Sequence, residues 1–547
     1  MPDHRDGQLS GRGAAAALGA YLAAAVVMTW PLATAPGRLG LPNMDVYGNA
    51  WAMASVLHQL RHDPGHLFDS NMFFPWTGSL AYAESLLPQA VQAAPVRALG
   101  GSVLLAYNLV FLLSFALSGL GACLLAADLT RSRAAGFLAG LAFAFWAYRW
   151  DHVVHLQSLS TQWLPFALWF ARRSLRAGPA RAVDLAGLAA GTLLQVLSSG
   201  YYGMLLLAAL GLTFAWDTAQ TRDVRRLVRP AAAVALAVAL TAPVFLQYRA
   251  MQARHGFSRG RREAIAWSAR PQSYLEPGVA ASWPHTAALS RLARDGEPLF
   301  PGSWALVFGL WGLVRLRRHE HGGLAAAWLA LGFALSLGPV LRVAGVEVPG
   351  PFELFRWLPG GALLRTPSRL GVLAVLGLDV LAAMAWAPLV RTGGRRAWAA
   401  TAAAAIVILL EAWPAGLREQ IRDMPLTPPS VDWLARADRG VVLELPWGRP
   451  ADSALYLYWS TGHWQPMVNG FGSFDPPGNA ELGVVGHGWP SAYCARVFRE
   501  YGVRYVVVHT DRLTDRRRAR VEAAFELPAG VTLAATLGET RVYAIAP

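Results

Sequence analysis

Runs of about twenty apolar residues recur along this chain and constrain its fold more than any other feature. A helix needs about 20 such residues to cross the ~30 Å hydrocarbon core of a bilayer. Candidate spans lie near 14–33, 103–126, 134–150, 160–175, 182–199, 201–217, 229–248, 302–316, 322–338, 368–390 and 397–413. In lipid, only helices and closed barrels satisfy every backbone N–H and C=O. The sequence therefore predicts an α-helical polytopic membrane protein with about 11 transmembrane helices. Only 15% of the residues are charged and 54% are hydrophobic, against about 25% charged in soluble domains.

The formal net charge is +14, and all of its basic residues are arginine. They concentrate in short connections: Arg131 and Arg133; Arg172, Arg173, Arg176 and Arg181; Arg222, Arg225 and Arg226; Arg315, Arg317 and Arg318; Arg391, Arg395 and Arg396. With the N-terminus in the cytoplasm, each of these connections is cytoplasmic, as the positive-inside rule requires. The charge then reflects topology, and no nucleic-acid partner is expected. An odd number of spans places the C-terminus outside. The two cysteines, Cys123 and Cys494, exclude a disulfide framework. The first apolar run is too long for a signal-peptide core and reads as a retained helix after a short cytoplasmic tail, 1–13.

Three outer segments exceed simple turns: about Pro36 to Ser102, Arg249 to Pro301 and Gly338 to Arg365. Loops of that length usually carry function. The first contains NAWAMASVLHQL and ESLLPQAVQAAPVRAL, which have apolar residues at helical spacing and suit helices lying in the membrane interface. The second is basic and suits a cover over a cavity. A polar, proline-bearing linker occupies 414–430. Beyond it, 431–547 reads as a small extracytoplasmic α/β domain. Its strands are VVLEL and RYVVVH, its helices SAYCARVFREY and DRRRARVEAAF, and TLAATL pairs with RVYAIA as a hairpin turning at Gly-Glu.

Carboxylates beside hydrocarbon are costly unless paired, hydrated or used, and one in a partly dry cleft can act as a general base. That makes Asp45, Asp69 and Glu84 in the first outer loop candidates, with Asp151 in YRWDHVVHLQ. Each also has a local reading. Asp45 could cap the helix that follows it, Asp69 could be a turn residue, and Glu84 could start the ESLLPQA helix. One helical face could hold Asp151 and His155, with His152 alongside, yet a metal site there lacks ligands. Arg365 and Arg369 flank Pro367 at the outer end of an apolar helix, where two guanidiniums suit a phosphate or lipid headgroups. Tyr201 and Tyr202, in an outer turn, suit an interfacial aromatic belt and could line a cavity. In the tail, His463, Gln465 and Asn469 among aromatics suit either a sugar surface or loop packing. The sequence contains no Walker loop, GxSxG or HExxH motif.

The phrases MDVYGNAW, NMFFPWTGSLAYAE, AYRWDHVVHLQ, LSSGYYG and RTPSR, set in this topology, resemble the GT-C glycosyltransferases. The similarity is greatest to a bacterial branch related to protein O-mannosyltransferases and lipid A aminoarabinose transferases. It implies a GT-C-like membrane domain over 14–413 in a bacterial inner membrane. It also implies a polyprenyl-phosphate-linked sugar as donor and an extracytoplasmic glycan, lipid or protein as acceptor. Asp45 matches the first-loop catalytic aspartate, Asp151 the second carboxylate of the next outer loop, and Arg365 and Arg369 would hold the leaving phosphate. Met44 and Val46 flank Asp45, so the paired acidic motif of the mannosyltransferases is absent. No cofactor is expected, and a divalent metal has no support from the residues. The rival reading is a non-catalytic transporter or flippase for a lipid-linked glycan, or an assembly factor. Transporters often show paired halves, and no half-to-half repeat is present here.

Overall fold

The computed structural model describes residues 9–280, 283–293, 297–315, 320–343, 345–358, 360–391, 393–523 and 526–547. Arg317 and Arg318 of the arginine-rich connections lie outside the described residues. All eleven apolar runs contain helix. Among the described residues, five helical segments are long and apolar enough to cross a membrane: Gly11–Met28, Val103–Thr130, Gly200–Thr221, Val224–His255 and Pro367–Val390. Shorter apolar helices are Ala182–Ser198, Ser303–Val314 and Gly322–Ser336. The helix Arg133–Phe145 has 13 residues and rises about 20 Å. The chain after it therefore turns within reach of the hydrocarbon zone.

The chain divides into two compact units. The first comprises 1–36, 108–244 and 258–421, and holds most of the apolar helices. Its helices meet through glycine. A Cβ on Gly332 would overlap the backbone of Ala374, and one on Gly377 would lie 2.6 Å from the Leu329 nitrogen. The helices Gly322–Ser336 and Gly371–Trp386 thus touch backbone to backbone. Gly309 and Gly312 bring Ser303–Val314 equally close to Leu378 and Leu381. Lipid supplies no hydrophobic drive for helix association, so close van der Waals packing over small residues must hold such a bundle. Val228, Leu236 and Leu240 of the Val224–His255 segment are exposed, as suits a face that lipid covers.

The second unit comprises 37–107, 245–257 and 422–547. Its four-stranded sheet has Val441–Leu445 at one edge, then Val503–His509, Thr540–Ile545 and Val531–Leu537. The first pair is parallel and the others antiparallel. Thr540–Ile545 and Val531–Leu537 form the expected hairpin about Gly538 and Glu539. Leu443, Val506, Val508, Phe498 and Trp489 fill one core. The segment after the first apolar helix packs onto this domain. Residues 71–74 bond to 467–469, with Met467 N–H on Asn71 O at 2.7 Å and Phe74 N–H on Met467 O at 2.8 Å. Asn71 accepts from Trp51 Nε1 at 3.0 Å and donates to Ser460 Oγ at 3.0 Å. The 414–430 stretch also carries structure. Arg422–Asp423 pairs antiparallel with Leu39–Gly40, and the helix Pro429–Arg436 follows.

Candidate functional site

The first-loop acids belong to the second unit. Asp45 is not the cap of its helix. Met44–His62 is capped by Asn43, whose Oδ1 accepts the Asp45 N–H at 2.9 Å. Asp45 sits one position into the first turn, half-buried, where the helix N-terminus favours its negative charge. The buried phenol of Tyr107 lies within electrostatic reach of it. Asp69 Oδ1 accepts the N–H of Gly78 at 2.6 Å. Gly78 has φ +68°, so this carboxylate pins a left-handed turn nine residues further along the chain. Glu84 does not start a helix, because Leu87–Ala98 begins three residues later, after Leu86 at φ +50°. Instead, Tyr248 straddles the chain around Glu84, donating to Ala83 O at 3.0 Å and accepting the Ser85 N–H at 2.9 Å.

The remaining site candidates belong to the first unit. After Arg133–Phe145 comes the five-residue helix Ala147–Asp151. Arg149 is 1% exposed. Its guanidinium donates to Thr161 Oγ1 at 2.9 Å, Ser118 Oγ at 3.3 Å and Ser114 Oγ at 3.4 Å, and rests 4.4 Å over the Phe115 ring. These contacts set the rotation of the short helix and hence of Asp151. Asp151 Oδ2 accepts the Val279 N–H at 3.2 Å. Burial pushes the Asp151 carboxyl up to about 6, and the neighbouring Glu276 and Glu297 push the same way.

Asp151 and His155 do not share a helical face. The helix ends at Asp151 and a turn separates His152 from His155, which precedes Leu156–Leu159. The expectation of one face assumed a longer helix than a turn-rich DHVVH segment forms. The His152 ring stacks on Tyr148 at 3.9 Å, and its Nε2 lies 3.9 Å from Glu297 Oε2. Burial, with Arg369 and His155 nearby, pushes His152 down to about 3, so the ring is neutral. Burial raises the Glu297 carboxyl, and Arg369 opposes that shift. Among the described residues, no three His, Cys, Asp or Glu side chains could hold a metal ion.

Arg369 joins this group to the arginine pair. Its guanidinium stands 4.9 Å over the ring of Tyr201. The Tyr201 hydroxyl accepts the backbone N–H of Arg365 at 2.7 Å and of Thr366 at 3.2 Å. The Arg365 guanidinium meets Glu263 at 3.1 Å, and Arg259 reaches the same carboxylate at 3.6 Å. The adjacent Tyr202 donates its hydroxyl to Ser158 O at 3.0 Å. Consecutive tyrosines at the start of Gly200–Thr221 thus fasten the RTPSR segment and the loop after Asp151. Within this unit the structure brings together Asp151, His152, His155, Tyr201, Tyr202, Arg365 and Arg369. Asp45, Asp69 and Glu84 belong to the other unit.

Sequence reasoning missed Arg259, Glu263, Glu276, Glu297 and Tyr148. For the first four the available signal was the density of charge in the 249–301 loop, and Tyr148 lies inside the AYRWDHVVHLQ phrase. In the tail, the loop-packing alternative is the one that Gln465 and Asn469 follow. Gln465 Nε2 donates to the carbonyl of Leu434, its Oε1 accepts the Gly440 N–H, and Asn469 bonds the backbone of Glu444 on both sides. Both side chains are buried, so these amides serve packing and offer no sugar surface.

No family model matches the chain, and no curated protein matches its sequence. Solved structures do match in fold. Two classes of a mutant arabinofuranosyltransferase AftD from Mycobacteria superpose with TM-scores of 0.65 and 0.55, at 17% and 18% identity. They cover 99% and 98% of this chain and 42% of AftD in each case. This chain therefore spans less than half of that protein's length. The archaeal oligosaccharyltransferase AglB from Archaeoglobus fulgidus follows at TM-score 0.49 and 12% identity, covering 91% of this chain and 69% of AglB. The chain has a GT-C-like fold: a polytopic α-helical body with a small C-terminal α/β domain.

Proposed function

We propose that the protein is a membrane glycosyltransferase. It transfers a sugar from a polyprenyl-phosphate donor to an acceptor hydroxyl outside the cytoplasm, with inversion, in a bacterial inner membrane with the N-terminus cytoplasmic. One observation carries this reading: Arg365 and Arg369 are both organised by Tyr201, beside Arg259. Forked guanidiniums that do not lose their protons are suited to a phosphate leaving group. The likeness in fold to an arabinofuranosyltransferase agrees.

In the proposed reaction Asp45 takes the proton of the acceptor hydroxyl. The oxygen attacks the anomeric carbon as the bond from that carbon to the phosphate oxygen breaks. The electron pair leaves with the polyprenyl phosphate, and the arginines stabilise the charge that develops there. Electrostatic stabilisation of this kind is usually the largest catalytic term. Asp151 and Glu84 are the further carboxylates assigned to the reaction.

The rival, a lipid-linked glycan transporter, draws on Asp379, a carboxyl within an apolar span. Intramembrane acids often mark transport paths. The test reconstitutes the full chain in vesicles with radiolabelled polyprenyl-phosphate sugars and an envelope fraction as acceptor. Label should reach the acceptor, and Asp45→Asn should cut transfer about 100-fold or more, the lower range for a lost general base, with folding unchanged. Label that crosses the bilayer without transfer, or transfer that survives Asp45→Asn, would overturn the proposal.

A further inference from the structure

Tyr201 does more than a belt aromatic requires. A phenol oxygen offers two acceptor lone pairs and one donor proton. Both lone pairs are taken, by the N–H of Arg365 at 2.7 Å and of Thr366 at 3.2 Å. Among the described residues, nothing accepts the Tyr201 proton. The residue is 7% exposed, and three guanidiniums stand near it, those of Arg365 and Arg259 sharing the Glu263 carboxylate. Arg369 lies on its ring face, Arg365 extends from the peptide it holds, and Arg259 lies within electrostatic reach. Two N–H donors on a hydroxyl oxygen polarise its O–H bond, and a chain of hydrogen bonds strengthens its last member. An unused, polarised donor among three cations is suited to an anion with several acceptor oxygens.

We infer that the Tyr201 hydroxyl is a direct hydrogen-bond donor to the phosphate of the lipid-linked substrate, seated by the Arg365 and Thr366 amides between the guanidiniums of Arg365 and Arg369. This rests on the donor assignment made above and adds a neutral donor to a site whose arginines also hold the Glu263 carboxylate. A donor held by two backbone amides cannot swing away as a long arginine can. It therefore fixes where one phosphate oxygen sits, and the arginines supply charge.

The test measures binding of farnesyl phosphate and of farnesol to the full chain in nanodiscs, for the wild type, Tyr201→Phe, and protein carrying 3-fluorotyrosine at position 201. Phenylalanine keeps the ring under Arg369 and removes the hydroxyl. Hydrogen bonds to charged groups are worth more than neutral ones, so Tyr201→Phe should weaken farnesyl phosphate about 10-fold or more and leave farnesol unchanged. Fluorine makes the phenol a stronger donor and a weaker acceptor, so the fluorinated protein at pH 6.5 should bind farnesyl phosphate more tightly than the wild type. Equal losses for both probes in Tyr201→Phe, or weaker binding on fluorination, would reduce Tyr201 to a structural brace and overturn the inference. Unchanged binding in Tyr201→Phe would do the same. A wild type that does not distinguish farnesyl phosphate from farnesol would instead overturn the donor assignment beneath it.

Discussion

The carboxylate of Asp151 accepts the backbone N–H of Val279 at 3.2 Å, tying the short helix after Arg133–Phe145 to the segment that leads to Glu297. One hydrogen bond does not offset the burial of the charge, which pushes the carboxyl up from its ordinary 3.8 to about 6. A raised folded-state value means that the fold favours the protonated form. The stabilisation is present below about pH 4 and is lost as pH rises through 6. Its upper bound is about 3 kcal/mol, from about 1.4 kcal/mol per unit. Asp151→Asn keeps an acceptor for Val279 and cannot ionise. Its thermal midpoint should match the wild type near pH 4, exceed it progressively to pH 6, and hold that margin above. His152 contributes with the opposite sign, because its value is lowered: stability present above about pH 6.5 falls away towards pH 3. A constant offset between Asp151→Asn and the wild type from pH 4 to 7 would show that Asp151 titrates normally.

Asp379 presents a different case. It lies in Gly371–Trp386 at 0% exposure, and among the described residues neither of its oxygens has a hydrogen-bond partner. An unsatisfied polar group in such a place costs about 1–3 kcal/mol. Asp379→Val, close in volume and free of polar atoms, should raise stability by about that amount, read as a higher unfolding midpoint in detergent. A lower midpoint would mean that the carboxyl has a partner in the folded protein, such as an internal water.

Asn469 is held in place by a reciprocal pair. Its Oδ1 accepts the Glu444 N–H at 2.7 Å and its Nδ2 donates to Glu444 O at 3.0 Å, at 0% exposure. Asn469→Asp retains the acceptor, loses the donor and buries a charge against a carbonyl. We expect a loss of about 2–4 kcal/mol, in the range for broken buried networks, seen as earlier proteolysis of the 422–547 region. Asn469→Ser should cost less. Proteolysis at the wild-type rate in Asn469→Asp would show that this reciprocal pair does not hold the domain together.

The apolar helices were legible because membrane spans are written in local composition, and each of the eleven runs is helical. The tail strands were legible for a similar reason: VVLEL and RYVVVH are short apolar runs between turn residues. Asn43 could have been read as the cap from its residue type, but Asp45 drew attention as the charged neighbour. The pairing of Leu39–Gly40 with Arg422–Asp423, nearly four hundred residues apart in sequence, could not be read. Nor could the grip of Asn71 on Ser460. Both depend on tertiary contacts that leave no local period. Glu263 and Glu297 were hidden for the same reason. A carboxylate in a basic loop gives no sign, before folding, of which arginine it will meet.

Gly278 offers a direct probe of how Asp151 is held. It has φ +55°, in the left-handed region, and a Cβ there would overlap Asp151 Oδ2 and lie 2.8 Å from Pro298 Cβ. Alanine at this position therefore carries three penalties, of which the strain and the Pro298 contact do not involve Asp151. The backbone strain is about 1–2 kcal/mol and does not depend on Asp151. The collision with the carboxylate disappears once that side chain is cut back. Gly278→Ala should lower the unfolding midpoint in the wild type by more than it does in an Asp151→Ala background. The difference is a coupling energy of about 0.5–3 kcal/mol, the range for contacting residues. Equal losses in the two backgrounds would show that φ and the Pro298 contact demand glycine at 278 and that the carboxylate has room to move.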